Sequence, residues 1–388
     1  MFPLLGKLHA GKFVTIVALL ACFWKKGDIL DHWFVSKALL IWLAICLISV
    51  PFALNPALAW DSFNSLVKTC IIYYLVYKGI DSAFKMKIFL ILFWLQHLKL
   101  SVWQLGVYKN LVSGGFAAYH IQEGVGAGST GFMGNAGDFG VGLCVLIPLV
   151  IFLFFAMEKK IIKLGVIVSI PVFLMSLVAT GSRASAIGFL GEVVSPAISK
   201  KNLRMAVTAL IIIVIIIVTV WSIAPVPYKN RFKSALNYKN DPTAMQRLNL
   251  FASGIMMFKQ QPVLGVGIGN FRYAFIKKYK PENYGPTEGR YAHAIVSHNN
   301  FINSLAETGL LGFIAYCALI LRVFSCNFKT KRLTETSKYP SGKLSVALNA
   351  SLVSFVITGM LITTIYYPHL FLLAGLSVAN YNLASDSA

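Results

Sequence analysis

The chain has 388 residues, of which 57% are hydrophobic and only 13% are charged. A soluble domain carries about 25% charged residues, so this composition excludes ordinary water-soluble domains and indicates an integral membrane protein. The formal net charge of +21 is typical of nucleic-acid-binding proteins, but no nucleic-acid-binding module accompanies it. Membrane topology is therefore the first explanation to consider for the charge.

About eleven apolar segments are long enough to cross a membrane, and ten to twelve spans are compatible with the sequence. They fall near residues 2–24, 37–54, 60–79, 86–108, 138–157, 161–180, 184–198, 204–224, 298–323, 345–366 and 368–385. The segment 184–198 is the weakest, because it is short and contains Glu192 and Pro196. The sequence therefore predicts an all-α fold, a polytopic bundle of transmembrane helices.

Lys and Arg residues cluster in alternate connections between these segments. One set of connections holds eighteen of them, whereas the connections at 55–59, 109–137 and 181–183 hold only Lys109 and Arg183. Cytoplasmic loops carry the excess of Lys and Arg in membrane proteins, so the first set is predicted to be cytoplasmic. The long segment 225–297 then lies on the periplasmic side.

This arrangement divides the chain into three parts. Residues 1–224 form an N-terminal transmembrane bundle, residues 225–297 a periplasmic loop, and residues 298–388 the C-terminal transmembrane helices. The loop carries eleven Lys or Arg against three acidic residues, a net charge of +8. Such an excess either attracts an anionic partner or is ordinary solvated charge, and both interpretations stay open.

One amphipathic helix is predicted inside the loop, near residues 242–260. Asp241 and Pro242 are typical of a helix start, and Pro262 would end the helix after Gln260. An apolar stripe runs along it at helical spacing, formed by Ala244, Leu248, Phe251, Ile255 and Phe258. Arg247 lies at the edge of this stripe, so a helix on the membrane surface would hold Arg247 at the depth of lipid phosphates.

Two further residues are candidates for chemistry. Arg183 lies between two apolar runs, where it either snorkels to the interface or binds a phosphate through its guanidinium. His298 lies where the loop enters a helix, and it is either a hydrogen-bonded structural residue or a base for a hydroxyl. Glu307 lies inside an apolar segment, where helix packing is at least as good an explanation as function. The glycines at 265–269 lack the pattern of a phosphate-binding loop and predict a turn.

The motifs, taken in order, resemble the superfamily of O-antigen ligases and O-antigen polymerases. They are TGSRAS at 180–185, QRL at 246–248, GVGIGNF at 265–271, and HN followed by nine residues and GLLG at 298–312. The last motif is the most specific, and it is most similar to the O-antigen ligase (lipopolysaccharide ligase) branch. Members of this superfamily are polytopic glycosyltransferases of the bacterial inner membrane.

The resemblance implies a donor glycan on undecaprenyl pyrophosphate and, for a ligase, a sugar hydroxyl of the lipid A-core as acceptor. It also implies inverting transfer without a metal or cofactor, by an enzyme in contact with membrane lipids. The catalytic residues are then expected to be Arg183 and Arg247, which bind the pyrophosphate, and His298, which activates the acceptor hydroxyl. Asn299 would orient the substrate or the His ring. Further substrate-binding candidates are Arg231, Arg272, Arg290 and Asn135.

Two alternatives remain at this point. A polymerase would use the same donor, with a second lipid-linked glycan as acceptor. A transporter of a lipid-linked sugar or a small anion belongs to another class, and it should place its key charges near the membrane midplane on broken helices. Arg183, Arg247 and His298 all map to one surface in the predicted topology, which disfavours transport.

Overall fold

The computed structural model describes residues 33–112, 136–200, 242–281, 284, 295–334 and 340–386, together with single positions between 204 and 222. Within these residues every regular element is a helix. This confirms the predicted all-α class. The eleven α-helices described are α1 (Trp33–Ser49), α2 (Pro56–Gly79), α3 (Ala83–Val112), α4 (Ala136–Ala156), α5 (Lys160–Ala179), α6 (Arg183–Lys200), α7 (Pro242–Gln260), α8 (Phe271–Ala274), α9 (Asn300–Leu333), α10 (Ser341–Gly359) and α11 (Pro368–Ser385), and a π-helical turn (Phe275–Tyr279) follows α8.

Nine of these helices, all except α7 and α8, lie at the predicted spans. Among the described residues, α3, α4, α5, α9 and α10 are long and apolar enough to cross a membrane, and α1 is a shorter apolar helix. The predicted span at 2–24 and most of the one at 204–224 lie outside the described residues, so the number of spans stays a prediction. The chain is a multi-pass membrane protein.

Helix α10 lies at the centre of the bundle, where it packs against α4, α6, α9 and α11. Helix α11 is buried along nearly its whole length and also packs against α2, as expected of a helix that is apolar on all sides. The rings of Trp42, Tyr316 and Phe371 meet where α1, α9 and α11 come together, with Trp42 5.6 Å from Tyr316 and 6.1 Å from Phe371. These contacts hold the two halves of the chain together.

The outer surface of the bundle carries large apolar side chains. Phe155 is 64% exposed, Leu321 63% and Leu40 53%. Such a surface would aggregate in water, whereas in a bilayer it is the surface that faces lipid.

The connections with few lysines and arginines meet at one end of the bundle, which we call the loop end. Helices α2, α4, α6, α9 and α11 begin there, and α1, α5 and α10 end there. The amide of Leu54, between α1 and α2, donates to Val266 O at 3.0 Å, so the 261–270 segment lies at this end as well. The side of the membrane that the loop end faces stays a prediction, as do the three-part division and its boundaries.

Candidate functional site

Arg183 is the first residue of α6, where a tight turn places it. Gly181 has a φ of 61°, in the left-handed region that favours glycine. Thr180 Oγ1 accepts a hydrogen bond from the Ser182 amide at 3.1 Å, and Ser182 Oγ accepts one from the Ser185 amide at 3.2 Å. Ser182 thereby caps the helix, and the partly exposed Arg183 lies beside the positive end of the helix dipole. Both features favour an anion here.

The start of α4 is braced against the start of α6. Ser185 Oγ donates to Gly137 O at 3.4 Å. A Cβ on Gly140 would lie 2.3 Å from Ser185 Oγ, so the two helices approach this closely only because position 140 has no side chain. Asp138, in the first turn of α4, is 1% exposed. Asp138 and Arg183 therefore lie at the starts of two helices, α4 and α6, that pack against each other.

Helix α7 carries Arg247 and begins and ends where its flanking prolines predict. Its packed face consists of Leu250, Ser253 and Met257, each at most 1% exposed. Arg247 is partly exposed, and its Nε is buried. At 100° per residue it lies at the edge of the packed face, three residues before Leu250.

The apolar stripe predicted on α7 lies on its outer side. Leu248 is 48% exposed and Ile255 36%, and Met256 beside them is 49% exposed. Val263, just after α7, is exposed as well, and its carbonyl accepts from the amide of the exposed Leu311 on α9 at 3.4 Å. Arg247 therefore lies between a face packed on protein and an exposed apolar face of α7.

Helix α7 is fixed against the first turns of α9. A Cβ on Gly254 would lie 2.5 Å from Ile302 Cγ2, so the helices are in close contact at this point. Near the other end of α7, Gln246 Nε2 donates to Tyr284 OH at 2.9 Å. Burial raises the pKa of the Tyr284 phenol, which therefore stays neutral and accepts this bond. Arg247 lies between these two contacts, next to Gln246 and seven residues before Gly254, so both contacts hold the part of α7 that carries it.

His298 has a φ of 51°, and it is the one residue other than glycine with a positive φ in the described part of the chain. This conformation is strained for a residue with a side chain, and such strain concentrates at functional sites. Asn299, which follows, caps α9: its Oδ1 accepts from the Phe301 and Ile302 amides at 2.8 and 3.0 Å. Its Nδ2 donates to Met360 O at 3.0 Å. The cap therefore accounts for Asn299 without a substrate.

Helix α9 is broken at Gly309, where φ is 63° and ψ is −164°. The amide of Leu310 donates to Pro262 O at 2.8 Å instead of to its own helix. The carbonyl of Ala306, freed by the break, accepts from the Val266 amide at 2.9 Å, and that of Glu307 accepts from the Gly267 amide at 2.9 Å. We call this set of bonds the glycine interlock.

The glycine interlock explains two of the sequence motifs. The glycines at 265–269 form a turn, as predicted, and that turn closes onto the broken part of α9. A Cβ on Gly265 would lie 2.5 Å from Ala306 O, so this turn also requires glycine. The GVGIGNF and GLLG motifs are therefore two halves of one structure.

The side chain of Glu307 anchors the same region. Its Oε1 accepts from the Phe271 amide at 3.0 Å, and its Oε2 accepts from Tyr366 OH at 2.5 Å. A buried carboxylate with several donors is stable because its lost hydration is replaced. Glu307 thus has a packing role, one of the two roles that the sequence left open.

Residues 360–367, which we call the connector, join α10 to α11 and bind the start of α9. Thr363 Oγ1 lies 3.1 Å from Ser297 Oγ. The Thr364 amide donates to Asn300 Oδ1 at 2.6 Å, and Asn300 Nδ2 donates back to Thr364 Oγ1 at 3.3 Å. At the far end of the connector, Tyr367 OH donates to Asp138 Oδ2 at 3.0 Å. The connector thus joins the His298 region to the Asp138 region.

The last turn of α10 lies between the Arg183 and His298 regions. A Cβ on Gly188 would lie 2.3 Å from Thr358 Cγ2, and one on Gly359 would lie 2.5 Å from Asn300 Nδ2. Arg183 is five residues before Gly188, about 7.5 Å along the helix axis. The starts of α6 and α9 are therefore in contact with the same turn, so the elements carrying Arg183, His298 and Arg247 converge at the loop end.

The other candidate residues differ in how far they are described. Arg272 lies exposed on α8. Arg231, Arg290 and Asn135 lie outside the described residues. Asp138 follows Asn135 at the start of α4, where the sequence predicts residues that line the site. Tyr366 and Tyr367 have no role in the sequence motifs, and only their hydrogen bonds to distant helices draw attention to them. Within the described residues, no group of three or more His, Cys, Asp or Glu side chains could hold a metal ion.

Residues 168–317 match the family model described as O-antigen ligase. The matched range contains Arg183, Arg247, His298 and both halves of the glycine interlock. No curated protein matches the chain. The family match confirms the resemblance drawn from the motifs, and it supports a membrane glycosyltransferase of the O-antigen ligase or polymerase type.

Proposed function

We propose, from the relation of residues 168–317 to the O-antigen ligase superfamily, that the protein is an O-antigen ligase of the bacterial inner membrane. It transfers a glycan from undecaprenyl pyrophosphate to a sugar hydroxyl of the lipid A-core on the periplasmic face. The observation that carries this proposal is the convergence at the loop end: a capped helix start bearing Arg183 lies across one turn of α10 from the strained His298.

The two arginines hold the leaving group in this mechanism. The bond between the anomeric carbon and the pyrophosphate oxygen breaks, and negative charge accumulates on the pyrophosphate. Guanidinium groups bind phosphate oxygens in pairs and are always charged, so Arg183 and Arg247 would stabilise that charge. The amides at the start of α6 add a favourable dipole beside Arg183.

His298 acts on the acceptor. The acceptor hydroxyl attacks the anomeric carbon from the side opposite the pyrophosphate, so the configuration inverts, and its proton passes to the imidazole as the new bond forms. An imidazole is suited to this transfer because it accepts a proton near neutral pH. The left-handed backbone of His298 and the Asn299 cap hold the backbone of His298 at the start of α9.

The location of Arg247 suits a lipid-linked donor. It lies at the boundary between the packed face of α7 and an exposed apolar face of the same helix. A pyrophosphate at the level of lipid headgroups would reach this boundary without leaving the membrane. Arg231, Arg272, Arg290 and Asn135 would line the approach of the phosphorylated core.

A transporter is less compatible with the structure, although α9 is a broken helix. Transporters use such breaks to offer free backbone groups to an ion. At Gly309 the carbonyls of Ala306 and Glu307 and the amide of Leu310 are instead bonded to residues 262–267. The break therefore serves the packing of the loop.

A deletion strain separates the ligase from the polymerase. Loss of a ligase should leave the lipid A-core bare while polymerised glycan accumulates on undecaprenyl pyrophosphate. Loss of a polymerase should instead leave cores capped with a single repeat. Both products are resolved by electrophoresis of lipopolysaccharide and by mass spectrometry of the lipid-linked pool. Unchanged profiles in both pools would contradict the proposed function.

Three variants of His298, to alanine, glycine and asparagine, test whether the imidazole takes part in transfer and whether the backbone at this position is strained. We expect His298→Ala and His298→Gly both to lower transfer by about a hundredfold or more, because both lack the imidazole. His298→Gly should be the more stable of the two by about 1 kcal/mol, because glycine adopts a φ of 51° without strain. Transfer in membranes and thermal unfolding in detergent measure the two effects.

His298→Asn is the matched control, since asparagine tolerates positive φ but cannot take up a proton. It should be inactive and well folded. Full transfer by any of the three variants would exclude a role for the imidazole in the reaction.

A further inference from the structure

The connector ends in two tyrosines that bind different parts of the molecule. Tyr366 OH donates to Glu307 beside the glycine interlock, and Tyr367 OH donates to Asp138 Oδ2 at 3.0 Å. The first contact lies within the α9 region, but the second crosses to α4. The hydrogen bond between Tyr367 and Asp138 therefore joins the connector to α4, which packs against the start of α6 and Arg183.

Asp138 occupies a position where a carboxylate has to be stabilised. It is 1% exposed, and burying a carboxylate without partners is costly. Two features compensate: it lies in the first turn of α4, where the helix dipole favours negative charge, and it accepts the Tyr367 hydroxyl. An asparagine would keep one acceptor oxygen for Tyr367, while losing the charge and replacing the second oxygen with an NH2 group.

The first turn of α4 in turn packs closely against α6. Gly140 and Ser185 are in direct contact, and Ser185 Oγ donates to Gly137 O. A displacement of this turn would therefore move the start of α6, and Arg183 with it. On the other side, Thr364 in the connector is bonded to Asn300 in two places, two residues from His298.

We propose that the hydrogen bond from Tyr367 to Asp138 is a positioning contact that keeps Arg183 and His298 in register. This inference rests on the proposed function, because it assigns the two residues to the same reaction. Tyr367 and Asp138 act through their neighbours and do not touch the substrate. An error of about 1 Å in the placement of reacting groups costs up to about a hundredfold in rate, so one such bond has a measurable effect.

The test compares variants that remove the bond with one that keeps it. Tyr367→Phe removes the hydroxyl and Asp138→Ala removes the acceptor, and each should lower kcat about tenfold or more with the KM for the lipid-linked donor unchanged. Asp138→Asn should retain most of the activity. Tyr73→Phe is the matched control, since it removes a tyrosine hydroxyl that is bonded to Ser36 Oγ at 2.7 Å, between α1 and α2.

Three results would overturn the positioning role. If Asp138→Asn is as impaired as Asp138→Ala, the charge of Asp138 acts by itself. If Tyr367→Phe behaves like Tyr73→Phe, the bond has no influence on the site. A rise in KM with unchanged kcat would also contradict the proposal, because it would place these residues in substrate binding.

Hydrogen exchange provides a readout that does not depend on transfer. The amides of Thr364 and Tyr367 are bonded to Asn300 Oδ1 and Thr364 O. Their exchange should accelerate in Tyr367→Phe and stay as in wild type in Asp138→Asn and Tyr73→Phe. If these amides exchange at the wild-type rate in Tyr367→Phe, the positioning role of the bond is refuted, even if the protein is a ligase. If the wild-type protein shows no glycan transfer, the proposed function is refuted. The hydrogen-exchange rates of the Thr364 and Tyr367 amides would then still show whether the bond from Tyr367 to Asp138 holds the connector in place.

Discussion

Alanine in place of Arg183 is expected to lower glycan transfer by about a hundredfold to a thousandfold. Removing one preorganised group that stabilises charge in a transition state has an effect of this size. The loss should appear mainly in kcat, because the charge on the pyrophosphate increases as the bond to the anomeric carbon breaks. Transfer from a lipid-linked donor to purified core lipid, followed by mass spectrometry, measures it.

The control variants distinguish charge from geometry. Arg183→Lys keeps the charge but loses the paired hydrogen bonds, so it should recover only part of the rate. Arg322→Ala removes an exposed arginine from α9, 24 residues after His298, and should transfer normally. If Arg183→Ala turns over like Arg322→Ala, Arg183 does not contact the pyrophosphate and its snorkelling role is the better explanation.

Gly309→Ala is expected to destabilise the protein by about 3 kcal/mol or more. The backbone at Gly309, with φ 63° and ψ −164°, is in a region that only glycine adopts readily. The added Cβ would also lie 2.3 Å from Val263 O and 2.4 Å from Val263 C, both backbone atoms that cannot move aside. The glycine interlock would have to open.

The matched control is Gly106→Ala, in α3. A Cβ there meets nothing within 4 Å, and alanine is the better helix former by up to about 1 kcal/mol. The unfolding midpoint in detergent should therefore fall for Gly309→Ala and stay level or rise for Gly106→Ala. Equal midpoints for the two variants would mean that the break at Gly309 contributes nothing to stability.

Local sequence signals located most helices because the forces behind them are local. A continuous apolar run of about twenty residues favours a helix, since a helix satisfies all of its backbone hydrogen bonds in lipid within the run itself. The bounds of α7 followed from Pro242 and Pro262, which permit a helix to start and force it to end.

The packed face of α7 could not be derived in the same way. Its apolar stripe faces outward, with Leu248 and Ile255 exposed, while Ser253 is buried and donates to Tyr279 O at 2.9 Å. In water the most apolar side of a helix faces the core, but beside lipid that rule loses its force. The direction of the helix then depends on close contacts such as the one at Gly254, which a single sequence does not reveal.

The candidate site was predicted in part for a related reason. Arg183 and His298 are conspicuous because they adjoin apolar segments, and Arg247 because it lies at the edge of an apolar stripe. The supporting contacts are different: Tyr367 and Asp138 are 229 residues apart in sequence, and the Asn55 amide donates at 2.9 Å to Asn270 Oδ1, 215 residues away. Such pairs form only after distant helices have packed, so the spacing of residues along the sequence does not predict them.

The glycine interlock also has a consequence for biogenesis. In the folded structure the carbonyls of Ala306 and Glu307 and the amide of Leu310 take their partners from residues 262–267, and each such group left unpaired in lipid costs several kcal/mol. The broken form of α9 is therefore stable only when the 262–267 segment is docked on it. We expect the first turns of α9 and the preceding loop to reach their final structure in the same step of membrane insertion.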